Sequence, residues 1–181
     1  IDELQPQAVI FSDGGPGYRW VGNEHGFAGA TNWSFLRTGE VYPGYPKYRE
    51  LQYGHADGNQ WVAAECDVSI RPGWFYHPEE DDRVKTVDEL TDLYYRSVGH
   101  NATLLLNFPV DRDGLIHPTD SANAVNFHQN VQKQLAHNLL AGLSPKASDE
   151  RGRTFSAKAV TDGDYDTYWA TNCLLYTSDA A

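Results

Sequence analysis

The sequence predicts an α/β fold, namely the C-terminal part of a (β/α)8 TIM-type barrel that is truncated and followed by the beginning of a β-sandwich module. Two observations carry this prediction. Apolar strand-like runs alternate with helical segments, as in parallel sheets that are covered by helices. Polar and charged residues gather directly after these runs, where α/β barrels place their sites. About 250 residues are typical of a complete barrel, so we expect the 181 residues to hold too few strands to close one.

The first predicted strand is the short apolar run at 8–11, which we expect to be fully buried. Three glycines and one proline follow it within 12–17, so the chain must turn where the strand ends. The turn delivers acidic, basic, aromatic and amide side chains within a dozen residues. These are Asp13, Tyr18, Arg19, Trp20, Asn23 and Glu24. The stretch therefore predicts a functional site beyond this strand.

A long loop is predicted over 25–54, and a structureless stretch of that length is usually functional. The next strand is predicted over 60–70. Because side chains alternate along a strand, Glu65, Asp67 and Ser69 share one face of it. Inward carboxylates on a barrel strand either line a site or form a structural network, and we favour the first interpretation.

A helix is predicted to begin near Thr86 and to end before Gly99, because apolar residues recur at helical spacing between them. The acidic run at 79–82 is interpreted as the solvated N-terminus of this helix, favoured by the helix dipole. A third strand is predicted over 102–110, apolar on both faces as in a parallel sheet.

A second helix is predicted over about 121–141, with Pro118, Thr119 and Asp120 at its start. Its apolar stripe includes or adjoins His128 and His137. We interpret both histidines as packing residues, because no partner would complete a metal site.

Composition excludes several classes of protein. The net charge of −11, with only 14 Lys and Arg residues, argues against nucleic acid as a partner. No apolar run reaches the length of a membrane span. Cys66 and Cys173 lack metal-ligand spacing, so no metal and no cofactor are predicted. Five Trp and eleven Tyr suit a neutral, hydroxyl-rich ligand such as a sugar, although ordinary core aromatics are the alternative.

Four separated blocks carry a resemblance to a known family. They are 10–24 (IFSDGGPGYRWVGNE), 61–70 (WVAAECDVSI), 71–77 (RPGWFYH) and 97–107 (SVGHNATLLLN). In this order they resemble glycoside hydrolase family 29, the α-L-fucosidases, and within it the subgroup acting on α-1,3- and α-1,4-linked fucose. The resemblance extends over roughly 5–140.

The resemblance implies retaining hydrolysis of terminal α-linked L-fucose by two carboxyl groups. The acid/base Glu of the family lies in a Gly-Asn-Glu motif, which here ends at Glu24. Trp20, Phe27 and Trp33 are expected to surround it and raise its pKa by desolvation; the alternative is that Glu24 only pairs with Arg19. The nucleophilic Asp of the family lies on an earlier strand, so we expect the chain alone to be inactive.

Asp13, in Phe11-Ser12-Asp13-Gly14, superficially resembles the Trp-Phe-Asp-Gly motif of the family's nucleophile, but we interpret it as a turn residue or as a residue that supports the site without contacting the substrate. Arg19 and Trp74 are predicted to contact the sugar, by hydrogen bonds and by stacking, and Glu65 and Asp67 to line its site. The alternatives for the first two are a salt bridge to Glu24 and ordinary packing. The implied partner is a fucosylated oligosaccharide or glycoprotein glycan, and the implied location is secreted or periplasmic. A non-catalytic carbohydrate-binding protein is the competing interpretation.

The predicted domains are 1–142, the partial glycoside hydrolase barrel, and 143–172, a linker with the truncated start of a discoidin-like (F5/8 type C) module. The module resemblance rests on 162–169 (DGDYDTYW). Asp162, Asp164 and Asp166 are interpreted as solvated turn acids, with a structural Ca²⁺ site as the alternative. The tail at 173–181 resembles the translation of a transposase sequencing adapter, so we expect a fragment from a sequencing assembly.

Overall fold

The computed structural model describes residues 1 and 3–172, and it contains a four-stranded parallel sheet. The sheet consists of β1 (Phe11–Ser12), β2 (Tyr18–Trp20), β5 (Ala63–Ser69) and β6 (Ala102–Asn107), in the order β1-β2-β5-β6. A separate antiparallel pair joins β3 (Phe35–Leu36) to β4 (Gln60–Trp61). The predicted α/β arrangement with a parallel sheet is therefore confirmed.

The chain divides into two compact units, Ile1–Lys133 and Gln134–Ala181. The first unit contains the parallel sheet and the residues predicted to form the site. The predicted domain limit at 142/143 stays a prediction, and the tail at 173–181, including Cys173, lies outside the described residues.

Strand β5 shows how the sheet separates its two faces. Ala64, Cys66 and Val68 are at most 3% exposed, whereas Glu65 and Asp67 between them are half-buried on the opposite face. Two apolar clusters take up the buried side, one around Val21 and Cys66 and one around Val68 and Leu90. The period-two pattern thus turns both carboxylates away from the covered face, as the sequence predicts.

Strand β1 differs from its prediction. It is only two residues long, and Val9 and Phe11 are 68% and 47% exposed, so the expected full burial is wrong for this structure. The sequence analysis also missed β2, which lies between β1 and β5 and is parallel to both. A three-residue strand is too short to show a hydrophobic period, and it begins immediately after the predicted turn.

Helix α1 (Val87–Ser97) connects β5 to β6. Thr86 Oγ1 accepts a hydrogen bond from the Glu89 backbone N–H, and the Glu89 carboxylate accepts one from the Thr86 N–H, which forms a capping box. The start and end of this helix agree with the prediction to within two residues.

The acidic run at 79–82 does not form the start of α1. A 3-10 helix, Pro78–Glu80, lies there instead, and Asp81 is paired with the buried Arg71. The interpretation of the run as a solvated helix N-terminus is therefore wrong, because one of its carboxylates is part of an internal ion-pair network.

Helix α2 spans Pro118–Leu135, so it begins three residues before the prediction and ends six residues before it. Its predicted apolar stripe is largely exposed, although Phe127 packs against the cluster around Val68. His128 and His137 are also exposed, so their interpretation as packing residues is wrong.

In the second unit, the described residues 134–172 contain 3-10 helices at Arg153–Phe155 and Ala157–Val160 and no strand, so the predicted start of a β-sandwich is not seen. Asp149 ties the segment together by accepting hydrogen bonds from Thr171 and Asn172.

The acidic turn of the second unit forms a series of local hydrogen bonds. Asp162 accepts from the Asp164 N–H, and Asp164 accepts from the Asp166 N–H. Among the described residues, no group of three or more His, Cys, Asp or Glu side chains is arranged to hold a metal ion. The Ca²⁺ alternative therefore gains no support from them.

No helix among the described residues combines the length and the apolar character that crossing a membrane requires.

Candidate active site

Glu24 and Trp74 are joined directly, although 50 positions separate them in the sequence. Trp74 Nε1 donates a hydrogen bond of 2.8 Å to Glu24 Oε2. Glu24 lies on the loop after β2 and Trp74 on the loop after β5, so both follow the carboxyl ends of adjacent parallel strands. This is the edge at which open and closed α/β sheets place their sites.

Glu24 lines two neighbouring cavities. One, of about 270 Å³, is lined by Glu24, Trp74, Lys85 and the end of β5. The other, of about 550 Å³, is lined by Glu24, Trp20 and residues of the 3-10 helix Tyr48–Gln52. Glu24 itself is exposed, so the predicted enclosure by Trp20, Phe27 and Trp33 is not seen in this structure.

The Trp74 loop is held by the end of the neighbouring strand. Asn107 Nδ2 donates to the Trp74 carbonyl oxygen and to Ser69 Oγ, both at 3.1 Å. Asn107 and Ser69 are register partners at the end of β6 and β5. The sequence analysis did not single out Asn107 as a site residue, although its place at a strand end could have indicated it.

Glu65 and Asp67 lie on the open face of β5, as predicted. Asp67 Oδ1 accepts a hydrogen bond of 2.8 Å from Trp20 Nε1. Burial raises the pKa of Asp67, and the nearby Glu24 carboxylate adds to this effect. Burial, helped by the charge of Asp67, also raises the pKa of Glu65. The acidic groups of this face therefore influence one another, and Asp67 is close enough to Glu24 to be affected by its charge.

Arg19 is buried and joins several segments of the chain, whereas the sequence predicts that it contacts the sugar. Its side chain is fully buried, and its guanidinium donates to the carbonyl oxygens of Leu51, Val62 and Trp33 and to Asn32 Oδ1. Burial lowers the pKa of Arg19 to about 10. The alternative salt bridge to Glu24 is not formed either, because these four acceptors occupy the guanidinium.

Asp13 contributes to a turn, as interpreted from the sequence. Its Oδ2 accepts a hydrogen bond of 2.7 Å from the Gly44 N–H, which connects the loop after β1 to the loop between β3 and β4. Asp13 is not among the residues that line the two cavities at Glu24.

An ion-pair network that the sequence analysis missed lies beneath the Trp74 loop. Arg71 Nε and Nη2 bind the two carboxylate oxygens of Asp120 at 2.8 and 2.9 Å, and both side chains are fully buried. Arg71 Nη1 also lies 2.9 Å from Asp81 Oδ1. Hydrogen bonding to Asp120 raises the pKa of Arg71. The network ties α2 to the segment 71–81 that carries Trp74.

Known proteins resemble this chain both in sequence and in structure. Alpha-L-fucosidase 1 of Arabidopsis thaliana is 43% identical over 178 aligned residues, which cover 94% of this chain and 34% of the plant protein. The crystal structure of SpGH29 superimposes with a TM-score of 0.88 at 32% identity and covers 97% of this chain and 38% of its own. Relatives and solved structures support the α-L-fucosidase family, GH29.

A GH29 fucosidase of Ruminococcus gnavus, solved in complex with fucose, matches with a TM-score of 0.72 at 32% identity. It covers 90% of this chain and 34% of its own. No protein-family model matches the chain. The chain spans about a third of the length of the curated α-L-fucosidases that it matches.

Proposed function

We propose that the chain is part of the catalytic barrel of an α-L-fucosidase that releases terminal α-linked L-fucose from glycans with retention of configuration. The observation that carries this proposal is the 43% identity to an α-L-fucosidase across 94% of the chain. Glu24, a carboxyl group at a strand-end cavity, can supply one of the two carboxyl groups that such a reaction requires.

Glu24 is proposed as the general acid and base. The indole N–H of Trp74 can only donate, and it donates to Glu24 Oε2. An unprotonated oxygen is the better acceptor, so Oε1 is proposed to carry the proton that is delivered to the leaving oxygen. In the second step the same oxygen accepts a proton from the attacking water.

The attacking carboxylate is proposed to come from a part of the relatives that this chain does not span. A retaining pair of carboxyl groups lies about 5–5.5 Å apart across the scissile bond. Trp74, Glu65 and Asp67 are proposed to bind fucose beside that pair. Burial raises the pKa of Glu65 and of Asp67, and the carboxyl oxygens of both residues can accept hydrogen bonds from sugar hydroxyls.

The finer assignments are part of the same proposal. The substrate is a fucosylated oligosaccharide or glycoprotein glycan, with α-1,3- or α-1,4-linked fucose, and the protein is secreted or periplasmic. Residues 143–172 are the start of a discoidin-like module. The family matches offer no support for a non-catalytic carbohydrate-binding protein.

The experiment uses a chimaera in which this chain replaces the matching segment of Arabidopsis alpha-L-fucosidase 1. The chimaera should release p-nitrophenol from p-nitrophenyl α-L-fucoside, whereas the chain alone should not. Glu24→Gln should lower the turnover of a fucosylated oligosaccharide about 10²- to 10⁴-fold, the usual contribution of general acid–base catalysis. Glu79→Gln, an exposed carboxylate outside both cavities, is the matched control and should retain full turnover.

Two results would argue against this function. An active chimaera that is unaffected by Glu24→Gln would assign the acid to another carboxyl group. Turnover of the aryl fucoside by the chain alone would show that it contains its own nucleophile. Added azide separates the roles further, because it should restore turnover of the aryl fucoside by Glu24→Gln if that residue is the base of the second step.

A further inference from the structure

The segment 22–28, which we call the Glu24 loop, presents its carboxyl group from a well-anchored backbone. Glu24 and His25 in the middle of this loop are exposed. The residues that flank this pair are buried or half-buried, namely Gly22, Asn23, Gly26, Phe27 and Ala28. The place of the Glu24 carboxyl group therefore depends on how the two sides of the loop are joined.

The side chain of Asn23 joins them. Asn23 Oδ1 accepts a hydrogen bond of 2.9 Å from the His25 N–H, which is the local turn that Asn side chains favour. Asn23 Nδ2 donates a second bond of 2.9 Å to the Phe27 carbonyl oxygen. An amide offers both an acceptor and a donor, whereas a carboxylate can only accept. Asn23 thus binds the backbone beyond Glu24 at two points.

Two glycines hold the Glu24 loop against its neighbours. Gly26, at a φ of +78°, packs so closely that a Cβ there would lie 2.7 Å from Val68 Cγ1 on β5 and 3.1 Å from Leu93 Cδ2 on α1. Gly22, at a φ of +83°, leaves no room for a Cβ beside the Tyr48 carbonyl oxygen. Both conformations favour glycine. Close packing on two sides leaves the backbone of the loop little space in which to shift.

The acceptor of the second Asn23 bond is fixed by the last turn of α1. The Arg96 guanidinium lies 4.3 Å from the centroid of the Phe27 ring, and the Ala28 N–H donates to the Arg96 carbonyl oxygen at 3.0 Å. The His25 ring is stacked on the other partner of this pair, Phe27, with centroids 6.1 Å apart. Asn23 therefore ties Glu24 to a part of the loop that the helix holds in place.

We propose that Asn23 is a positioning residue, which keeps the Glu24 carboxyl group where it meets both Trp74 and the leaving oxygen. This inference rests on the proposed function, because it takes Glu24 as the proton donor. A catalytic group that is misplaced by about 1 Å can cost about 10²-fold in rate. The loss should be largest for substrates whose leaving oxygen needs a proton, since the other groups of the site stay unchanged.

Two variants of the chimaera test the kinetic consequence. Asn23→Asp and Asn23→Ser both retain an acceptor for the His25 N–H and lose the donor to Phe27, and only the first adds a charge. Each should lower kcat/KM for a fucosylated oligosaccharide about 10- to 10²-fold. Each should change kcat/KM for p-nitrophenyl α-L-fucoside less than about threefold, because nitrophenolate leaves without general acid catalysis.

Asn59→Asp is the matched control. Asn59 is exposed and lies outside both cavities, and its side chain likewise accepts a backbone N–H, that of Thr38, and donates to the Thr38 hydroxyl. The same substitution there removes a comparable donor far from Glu24. It should leave kcat/KM for both substrates unchanged.

The position of Glu24 can be followed directly in ¹H–¹⁵N spectra of the full chain. The Trp74 indole N–H signal, assigned with Trp74→Phe, should move in both Asn23 variants towards its place in Glu24→Ala, which lacks the acceptor. The Trp20 signal, assigned with Trp20→Phe, should stay in place, because that indole binds Asp67 on β5. It reports that the fold is intact.

The outcomes separate this inference from the proposed function. An unmoved Trp74 signal in both Asn23 variants, or an equal fall of kcat/KM for the two substrates, would refute the positioning role even when Glu24→Gln lowers turnover as expected. Movement of both indole signals in both variants would also refute it, since Asn23 would then support the fold as a whole. Full turnover of the oligosaccharide by Glu24→Gln would instead refute the proposed acid, and this inference with it.

Discussion

Trp74 Nε1 lies 2.8 Å from Glu24 Oε2, and this bond joins the loops that follow two adjacent parallel strands. The indole determines which oxygen of the carboxyl group faces away from Trp74. Asn107 in turn holds the Trp74 carbonyl oxygen, so three strand ends contribute to the position of one carboxylate.

We expect Trp74→Phe to lower the turnover of the chimaera about tenfold, because a hydrogen bond to a charged group is lost while the ring is retained. The change should appear in kcat/KM for a fucosylated oligosaccharide, with the thermal midpoint almost unchanged. Trp61→Phe is the control, since Trp61 is exposed and packs on Phe35 outside both cavities. An equal loss of kcat/KM in both variants would mean that the missing hydrogen bond from Trp74 to Glu24 is not the cause.

Arg71→Met should destabilise the chain by about 3–5 kcal/mol, because it leaves the fully buried Asp120 carboxylate without its bidentate partner. Urea unfolding followed by Trp fluorescence measures the change. The double variant Arg71→Met, Asp120→Leu should recover part of the loss, since no charge of that pair remains buried. Lys47→Met, which breaks an exposed pair with Glu50, should cost at most about 1 kcal/mol. A small effect of Arg71→Met would show that water reaches Asp120.

Arg19→Lys should cost about 2–4 kcal/mol, because an ammonium group cannot reach the four acceptors that the planar guanidinium satisfies. Arg49→Lys makes the same substitution at an exposed residue and should leave the free energy of unfolding within about 0.5 kcal/mol of wild type. A similarly small effect of Arg19→Lys would show that the buried acceptors do not depend on the guanidinium.

Glu65→Gln should alter how stability depends on pH. Burial raises the folded-state pKa of Glu65 above its ordinary value of 4.5, so the folded chain binds more protons than the unfolded chain just above that pH. Wild-type stability therefore falls as pH rises through the folded pKa. The thermal midpoint of Glu65→Gln should exceed that of wild type at about pH 7 and approach it towards pH 4.5. Glu3→Gln, an exposed carboxylate, should show no such divergence.

Local patterns explain which parts of the fold could be predicted. The alternation in β5 and the Thr86–Glu89 capping box lie within a few residues, so the sequence alone indicates them. The pairing of Arg71 with Asp120 joins positions 49 apart, and nothing in either neighbourhood indicates the other. The chemistry of Arg19 predicts a contact with the sugar, but three of its four acceptors are backbone carbonyls 14 to 43 positions further along the chain. Such groups have no signature in a sequence.

Gly22 limits which substitutions the wall beside Glu24 tolerates. A Cβ at this position would lie 2.2 Å from the Tyr48 carbonyl oxygen, so even alanine would force the 3-10 helix Tyr48–Gln52 or the loop of Gly22 to shift. The positive φ of +83° adds backbone strain for any residue that has a side chain. A substitution of this glycine would therefore change the shape of the cavity beside Glu24 while every ionisable side chain around it stays the same.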